Sequence, residues 1–203
     1  DHYFFNKEKK FYLVDEILDM FSNDPETDEI TQKQKIFYED VKFPNYDDLE
    51  DFSMLIEKSE KSYFAKKLDE EIPNGSKVIE IGCGTGQMSN FLSRFNRTIV
   101  GVDLSIPSLK LAEKFRKNND LNNVFFLKMN LFKPSFKTNT FDILISNGCL
   151  HHTINPRKAF SCVTKLVKSG GIVIIGLYHK NGRLFTNFRQ IIFKIFKNRF
   201  KFL

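Results

Sequence analysis

The 203-residue sequence predicts an α/β fold built on an open, doubly wound, mostly parallel sheet. Three observations carry that expectation. From Lys77 onward, short runs rich in Val, Ile and Phe alternate with amphipathic stretches, as in consecutive βαβ units. The runs read apolar on both faces, which suits strands covered by helices on either side and joined by right-handed crossovers. The first run also passes through three closely spaced glycines straight into a helical pattern, and the ligands of such sheets sit at the carboxyl ends of the strands.

Residues 1–48 precede this alternation as an acidic segment with turn chemistry at Asp24-Pro25 and Pro44-Asn45. Phe11, Val14, Ile17, Leu18 and Phe21 fall at helical spacing, so the segment is expected to be mainly helical. Residues 49–179 form the expected core. Phe52, Leu55, Ile56, Ser59, Tyr63, Phe64 and Leu68 repeat at three and four, which predicts one helix from Leu49 to Ile72, ended by Pro73-Asn74-Gly75. Strands are expected at Lys77–Ile81, Thr98–Val102, Val124–Lys128, Phe141–Ser146 and Gly171–Leu177. A helix with Met88, Phe91, Leu92 and Phe95 on one face follows the first strand. The next opens with Ser105 as N-cap and Pro107 in its first turn, and buries Leu109, Ala112 and Phe115. Another runs from Asn155-Pro156 through Ala159, Phe160, Val163, Leu166 and Val167 to Gly170-Gly171. Residues 180–203 hold seven Lys+Arg and no acid and read as a basic amphipathic helix. Its apolar stripe can lie on an anionic membrane surface, dock on the chain's own sheet or pack in a homo-oligomer.

With 41% hydrophobic and 28% charged residues, the composition excludes a disordered or fibrous chain. No apolar run reaches the roughly 18–20 residues of a membrane span. From the start, Asp1-His2-Tyr3, which lacks an initiator Met, an apolar h-region and a small-residue cleavage site, no signal peptide is expected within these residues, and Asp1 can be a processing edge. Cys83, Cys149 and Cys162 are odd in number and lack CxxC spacing, which argues against a disulfide framework and against a metal site of the zinc type. A reducing, cytoplasmic compartment is the expected one. The net charge of +6 divides unevenly, with −10 on residues 1–80 and +16 on residues 81–203. Either the two halves neutralise each other across an internal contact, or the basic half meets a nucleic acid or membrane. An acidic N-terminal lid over a basic core is the preferred reading.

The chemistry-bearing segment is Glu80-Ile81-Gly82-Cys83-Gly84-Thr85-Gly86-Gln87. Glycines at i, i+2 and i+4 let the backbone turn tightly and let a ligand approach where a Cβ would collide. The dinucleotide fingerprint G-x-G-x-x-G is not met, because the third glycine comes one residue early, so a nicotinamide dehydrogenase is disfavoured. Asp103 closes the next strand about 20 residues on, where an acceptor-only carboxylate can take both hydroxyls of a ribose. It can also compete with Ser105 as a helix cap. The fourth strand ends in Asn147-Gly148-Cys149-Leu150-His151-His152, bringing a second polar cluster to the same sheet edge.

In this series of motifs the sequence resembles the class I S-adenosylmethionine-dependent methyltransferases, of the small-molecule branch that includes the quinone-biosynthesis enzymes. The resemblance covers about residues 52–180. Glu80 to Gly86 is similar to the family's first motif, and Val102-Asp103-Leu104-Ser105 to the acid ending its second strand. Phe141-Asp142-Ile143-Leu144 with Leu150-His151-His152 is similar to its fourth strand and loop. Leu166-Val167-Lys168-Ser169-Gly170-Gly171 is similar to the turn before strand five, with Ser169 where Pro is common. The resemblance implies a Rossmann-like sheet that binds S-adenosyl-L-methionine and releases S-adenosyl-L-homocysteine after in-line methyl transfer to a small-molecule acceptor. Gly82, Cys83, Gly84 and Gly86 would lie against the methionine and ribose, Glu80 and the Asn147 carbonyl would meet the ammonium, and Asp103 would hold the ribose. Leu104 would flank adenine, and Met129 is a further cofactor-binding candidate after the third strand. Asn130, where many members carry Asp, would meet the adenine amino group or serve as a turn residue. His151 and His152 are candidate catalytic bases or, alternatively, loop-packing residues. The family's amino-methylating members that act on nucleic-acid bases show Asn/Asp-Pro-Pro-aromatic where this chain has Asn147-Gly148-Cys149-Leu150, which disfavours a nucleic-acid partner. The family also adds two strands after the fifth, and residues 180–203 do not read as them. The sheet is therefore expected to lack its last two strands, leaving a non-catalytic binding module or a piece of a larger methyltransferase as the alternative.

Overall fold

The computed structural model describes residues 12–21, 46, 49 and 51–177. In chain order these form β1 (Tyr12–Val14), β2 (Ile17–Met20), α1 (Phe52–Glu60), α2 (Tyr63–Glu71), β3 (Lys77–Ile81), α3 (Gln87–Phe91), β4 (Thr98–Asp103) and α4 (Ile106–Asn118). There follow β5 (Val124–Met129), β6 (Phe141–Asn147), a 3-10 turn at Leu150–His152, α5 (Pro156–Thr164) and β7 (Val167–Gly176). The strands make one sheet in the order β1-β2-β5-β4-β3-β6-β7. Every pair is parallel except the β1–β2 hairpin.

Strand alternation sends Val78, Ile99, Ile143 and Phe126 to one face, where Leu55, Phe91, Leu109 and Ala112 of α1, α3 and α4 cover them. Ile79, Ile81, Val100 and Leu144 point to the other, against Ala159 and Val163 of α5. Four helices open on side-chain caps. Asp51, Ser62, Ser105 and Asn155 accept from the N–H of Met54, Ala65, Ser108 and Lys158, each cap contributing about 1 kcal/mol. The C-terminal carbonyls of α2 are held by a buried guanidinium. Arg97 donates from Nη1 to Asp69 Oδ1 at 2.6 Å and from Nη2 to the carbonyls of Asp69 and Ile72 at 2.6 and 2.7 Å.

Four expectations are corrected. The described part of the N-terminal segment, residues 12–20, is a hairpin rather than a helix. Asp15 and Glu16 turn it with φ of 49° and 68°, and β2 adds to the β5 edge with Leu18 opposite Leu127 and Met20 opposite Met129. The run Leu49–Ile72 is two helices, because Ser62 leaves helical geometry and caps α2. α3 ends at Phe91, and Phe95, expected on its inner face, is a left-handed loop residue with φ 59° and 48% exposure. α5 stops at Thr164, since Leu166 and Val167 are already drawn toward Phe141. β7 thus begins four residues before the expected Gly171, through an irregular register opposite β6. Among the described residues β7 is one edge of the sheet, and the hairpin extends the other. The basic helix expected over 180–203 lies outside the described residues.

Candidate active site

The strand order reverses around β3, and the loops after β3, β4 and β6 open at the same carboxyl edge. The glycine loop after β3 runs through three left-handed residues, Gly82, Gly84 and Gly86, with φ of 76°, 54° and 75°. Two of the three serve the protein's own packing. A Cβ on Gly82 would fall 2.5 Å from Cys149 Cβ, and one on Gly86 would fall 2.5 Å from the Phe126 ring and 2.7 Å from Ala112 Cβ. The loop hangs on the end of β4, with the N–H groups of Gly82 and Cys83 donating to the Val102 carbonyl at 2.8 and 3.1 Å. Gly84 N–H donates to Asp103 Oδ2 at 2.9 Å.

Asp103 is therefore the strut between the two loops. Its other oxygen accepts from Ser105 N–H at 2.9 Å, while Ser105 itself caps α4. Each carboxylate oxygen retains lone-pair capacity for a further donor. One strand over, Glu80 is only 7% exposed and accepts from Ser89 Oγ at 2.5 Å. Gly101 lies opposite Glu80 in register, and a Cβ there would come within 2.9 Å of Ser89 Oγ. Burial pushes the Glu80 carboxyl up to about 7, and the nearby Asp103 charge adds to the rise. Burial likewise raises Asp103, against the N–H groups of Ser105, Gly84 and Leu104 that favour its charged form. No basic side chain among the described residues neutralises either acid. A site with two adjacent carboxyls, one buried and one half-buried, and no ion pair to either among the described residues fits a cationic ligand, and S-adenosylmethionine carries both an ammonium and a sulfonium.

The remaining expected residues fall at the same edge with different local duties. Cys83 is buried and donates to the Gly84 carbonyl at 3.8 Å between sulfur and oxygen. Leu104 is half-buried directly after Asp103. Met129 ends β5 one residue beyond the Asp103–Lys128 register pair, Asn130 follows it, and both are buried. The Asn130 side-chain carbonyl accepts from Phe132 N–H at 2.9 Å and its backbone carbonyl from Lys133 N–H at 3.1 Å, which is turn chemistry. Asn147 ends β6 with an exposed side chain, next to Gly148 with φ 77°. Burial pushes the Cys149 thiol up to about 12. His151 and His152 follow in the 3-10 turn, half-buried, with ring centroids 4.0 Å apart and planes tilted by 44°.

Three contributors escape sequence reasoning: Ser89 and Gly101, which accommodate Glu80, and Tyr46, whose hydroxyl donates to the Thr85 carbonyl at 2.9 Å. Gly101 is the one with a visible signal, a glycine inside an otherwise branched strand. The hairpin also meets the basic core, with Asp15–Lys110, Glu16–Lys117 and Asp19–Lys128 ion pairs at 2.6, 2.7 and 2.7 Å. A cavity of about 310 Å³ lined by Asp69, Asn74, Arg94 and Arg97 lies at the opposite, amino-terminal ends of β3 and β4.

The family described as Methyltransferase domain matches residues 79–175. A malonyl-(acyl-carrier protein) O-methyltransferase of Paenibacillus sp. is 28% identical over 109 residues, covering 52% of this chain and 40% of that protein. A ubiquinone biosynthesis O-methyltransferase of Glaesserella parasuis is 26% identical over 118 residues, covering 55% of this chain and 49% of that protein. The matched part thus spans about half the length of these relatives, or less. Among solved structures, a SAM-dependent methyltransferase from Aquifex aeolicus superposes with a TM-score of 0.50 at 20% identity, over 57% of this chain and 66% of that one. The cyclase SpnF does so with a TM-score of 0.53 at 22% identity, over 55% and 43%. The structural likenesses show the fold, and the sequence matches add the motifs carried on it. Residues 79–175, just under half of the chain, are thus similar to a methyltransferase domain of the kind that uses S-adenosyl-L-methionine.

Proposed function

We propose that the protein transfers a methyl group from S-adenosyl-L-methionine to a small-molecule acceptor. The observation that carries this reading is the pair of acids, buried Glu80 and half-buried Asp103, near the ends of adjacent strands behind a left-handed glycine loop, with no ion pair to either among the described residues, Lys128 beside Asp103 being paired to Asp19. In this reading Asp103 accepts from the ribose hydroxyls with the lone pairs left by Gly84 and Ser105. Glu80 and the Asn147 carbonyl offset the charge of the ammonium, and Leu104, Met129 and Asn130 border adenine. When bound, the cofactor supplies a methyl group already activated on a positively charged sulfur. The protein's share is alignment and exclusion of water, effects that reach about 7–11 kcal/mol in well-oriented systems. His151 and His152 stand on the loop at the same edge, where an imidazole takes a proton from an acceptor hydroxyl. Two relatives named O-methyltransferases support an oxygen nucleophile.

Incubating the protein with methyl-labelled S-adenosyl-L-methionine and a panel of hydroxylated small molecules is expected to yield labelled product together with S-adenosyl-L-homocysteine. His151→Ala or His152→Ala is expected to lower that rate by about 10²–10⁴-fold where the histidine is the base. A second reading, a cofactor-binding module without turnover, is favoured by β7 being the edge strand among the described residues and by a neighbour of the same fold that is named a cyclase. Tight binding of S-adenosyl-L-homocysteine without transfer to any acceptor would support it.

A further inference from the structure

We propose that Tyr46 is a positioning residue for the cofactor site: its hydroxyl fixes the Gly84-Thr85-Gly86 backbone and thereby sets the affinity of the loop for its ligand. The inference rests on the reading that this loop binds S-adenosylmethionine. Tyr46 lies outside the family-matched residues, in the N-terminal segment, yet it reaches the centre of the glycine loop. Its hydroxyl donates to the Thr85 carbonyl at 2.9 Å and accepts from Asn90 Nδ2 at 3.0 Å. The donor direction is thereby set, because an amide N–H occupies the phenol oxygen and the phenol proton is left for Thr85. Asn90 is fully buried, and its own N–H closes the first turn of α3 on the Gly86 carbonyl at 2.8 Å. The Tyr46 ring stacks on Phe115 of α4 with centroids 4.6 Å apart and planes 23° apart. Loop and helix are thus tied to one side chain.

The opposite side of the same stretch is tied to Asp103 through Gly84 N–H. Gly84 and Thr85 are consecutive, so the N–H of one and the carbonyl of the next are both held, from β4 and from the N-terminal segment. A loop with three glycines has more conformational freedom to lose than one of the same length without them. Fixing it before the ligand arrives removes that cost from binding. By linkage, a ligand that orders the loop must also tighten the hold on Tyr46.

Tyr46→Phe keeps the stacked ring and removes only the hydroxyl. Calorimetric titration with S-adenosyl-L-homocysteine is expected to show affinity weakened about three- to tenfold, the range of one neutral hydrogen bond. Hydrogen exchange of residues 84–87 in the free protein is expected to be faster in the variant. Unchanged affinity with unchanged loop exchange overturns the proposal, as does a lower unfolding midpoint with unchanged affinity, the signature of a merely structural tyrosine. On the unmodified protein, S-adenosyl-L-homocysteine is expected to slow exchange at Tyr46 and at 84–87 together, and slowing confined to the loop overturns it. That comparison decides the matter if the variant fails to fold. If the unmodified protein binds neither S-adenosyl-L-methionine nor its product, the functional reading falls, and loop exchange in free Tyr46→Phe still decides the role of Tyr46.

Discussion

Glu80 shows how a single buried acid links site chemistry to stability. It lies one residue before the end of β3 beneath the loop, bonded to Ser89 and held at about 7 against an ordinary 4.5. Between these two values the folded protein keeps a proton that the unfolded chain has lost. The contribution is therefore fully present below about pH 4.5, declines as pH rises toward 7 and is level above, with an upper bound of ~3 kcal/mol. Urea midpoints at pH 5 and pH 8 are expected to fall more for the native protein than for Glu80→Gln, and parallel changes would contradict the assignment. The positions of the glycine turn, Glu80 and Asp103 were legible in the sequence because they depend on spacing along two successive strands and the turns that follow them. Ser89 and Tyr46 were not, because what recruits them is a buried acceptor supplied by a distant part of the chain.

At the scale of elements, the glycine loop separates backbone conformation from packing. Gly86 and Gly75 share a left-handed backbone, with φ of 75° and 72°. A Cβ at Gly75 meets nothing within 4 Å, whereas one at Gly86 collides with Phe126 and Ala112. Gly75→Ala is expected to cost about 1–2 kcal/mol from conformation alone. Gly86→Ala is expected to cost about 1–3 kcal/mol more from overpacking, with thermal unfolding of the two variants as the comparison. Equal losses would mean that α4 and β5 yield freely around the loop. The β-strands of the core were legible from their apolar runs, and α4 from Ser105 and Pro107. The hairpin was not, since apolar spacing over residues 14–21 suits a helix as well as a strand, and Asp15-Glu16 lacks the Asn-Gly type of turn signal. Pairing of β2 with the β5 edge and burial of Ile17 and Met20 decide its conformation.

For the whole molecule, the opposed charges of the two halves acquire a physical meaning. Acids of the N-terminal hairpin pair with lysines of α4 and β5, so part of the −10 and +16 is neutralised within the chain. Such pairs on a wet surface are worth about 0–1 kcal/mol each, and the Asp19–Lys128 pair, the most shielded of the three, lies beside the end of β5 where Met129 and Asn130 stand. The mostly parallel, doubly wound character of the core was legible from the alternation of apolar runs and amphipathic stretches, whereas the extra strands at the β5 edge depended on contacts that no local pattern encodes. The N-terminal segment thus braces both sides of the site, through Tyr46 at the glycine loop and through β2 at β5. The central claim, that the paired acids and the glycine loop form a cofactor site, is tested most directly by calorimetric titration of the native protein and of Asp103→Ala with S-adenosyl-L-homocysteine. The account predicts saturable one-to-one binding by the native protein and none by folded Asp103→Ala. Absence of binding by the native protein, or equal binding by the variant, would contradict it.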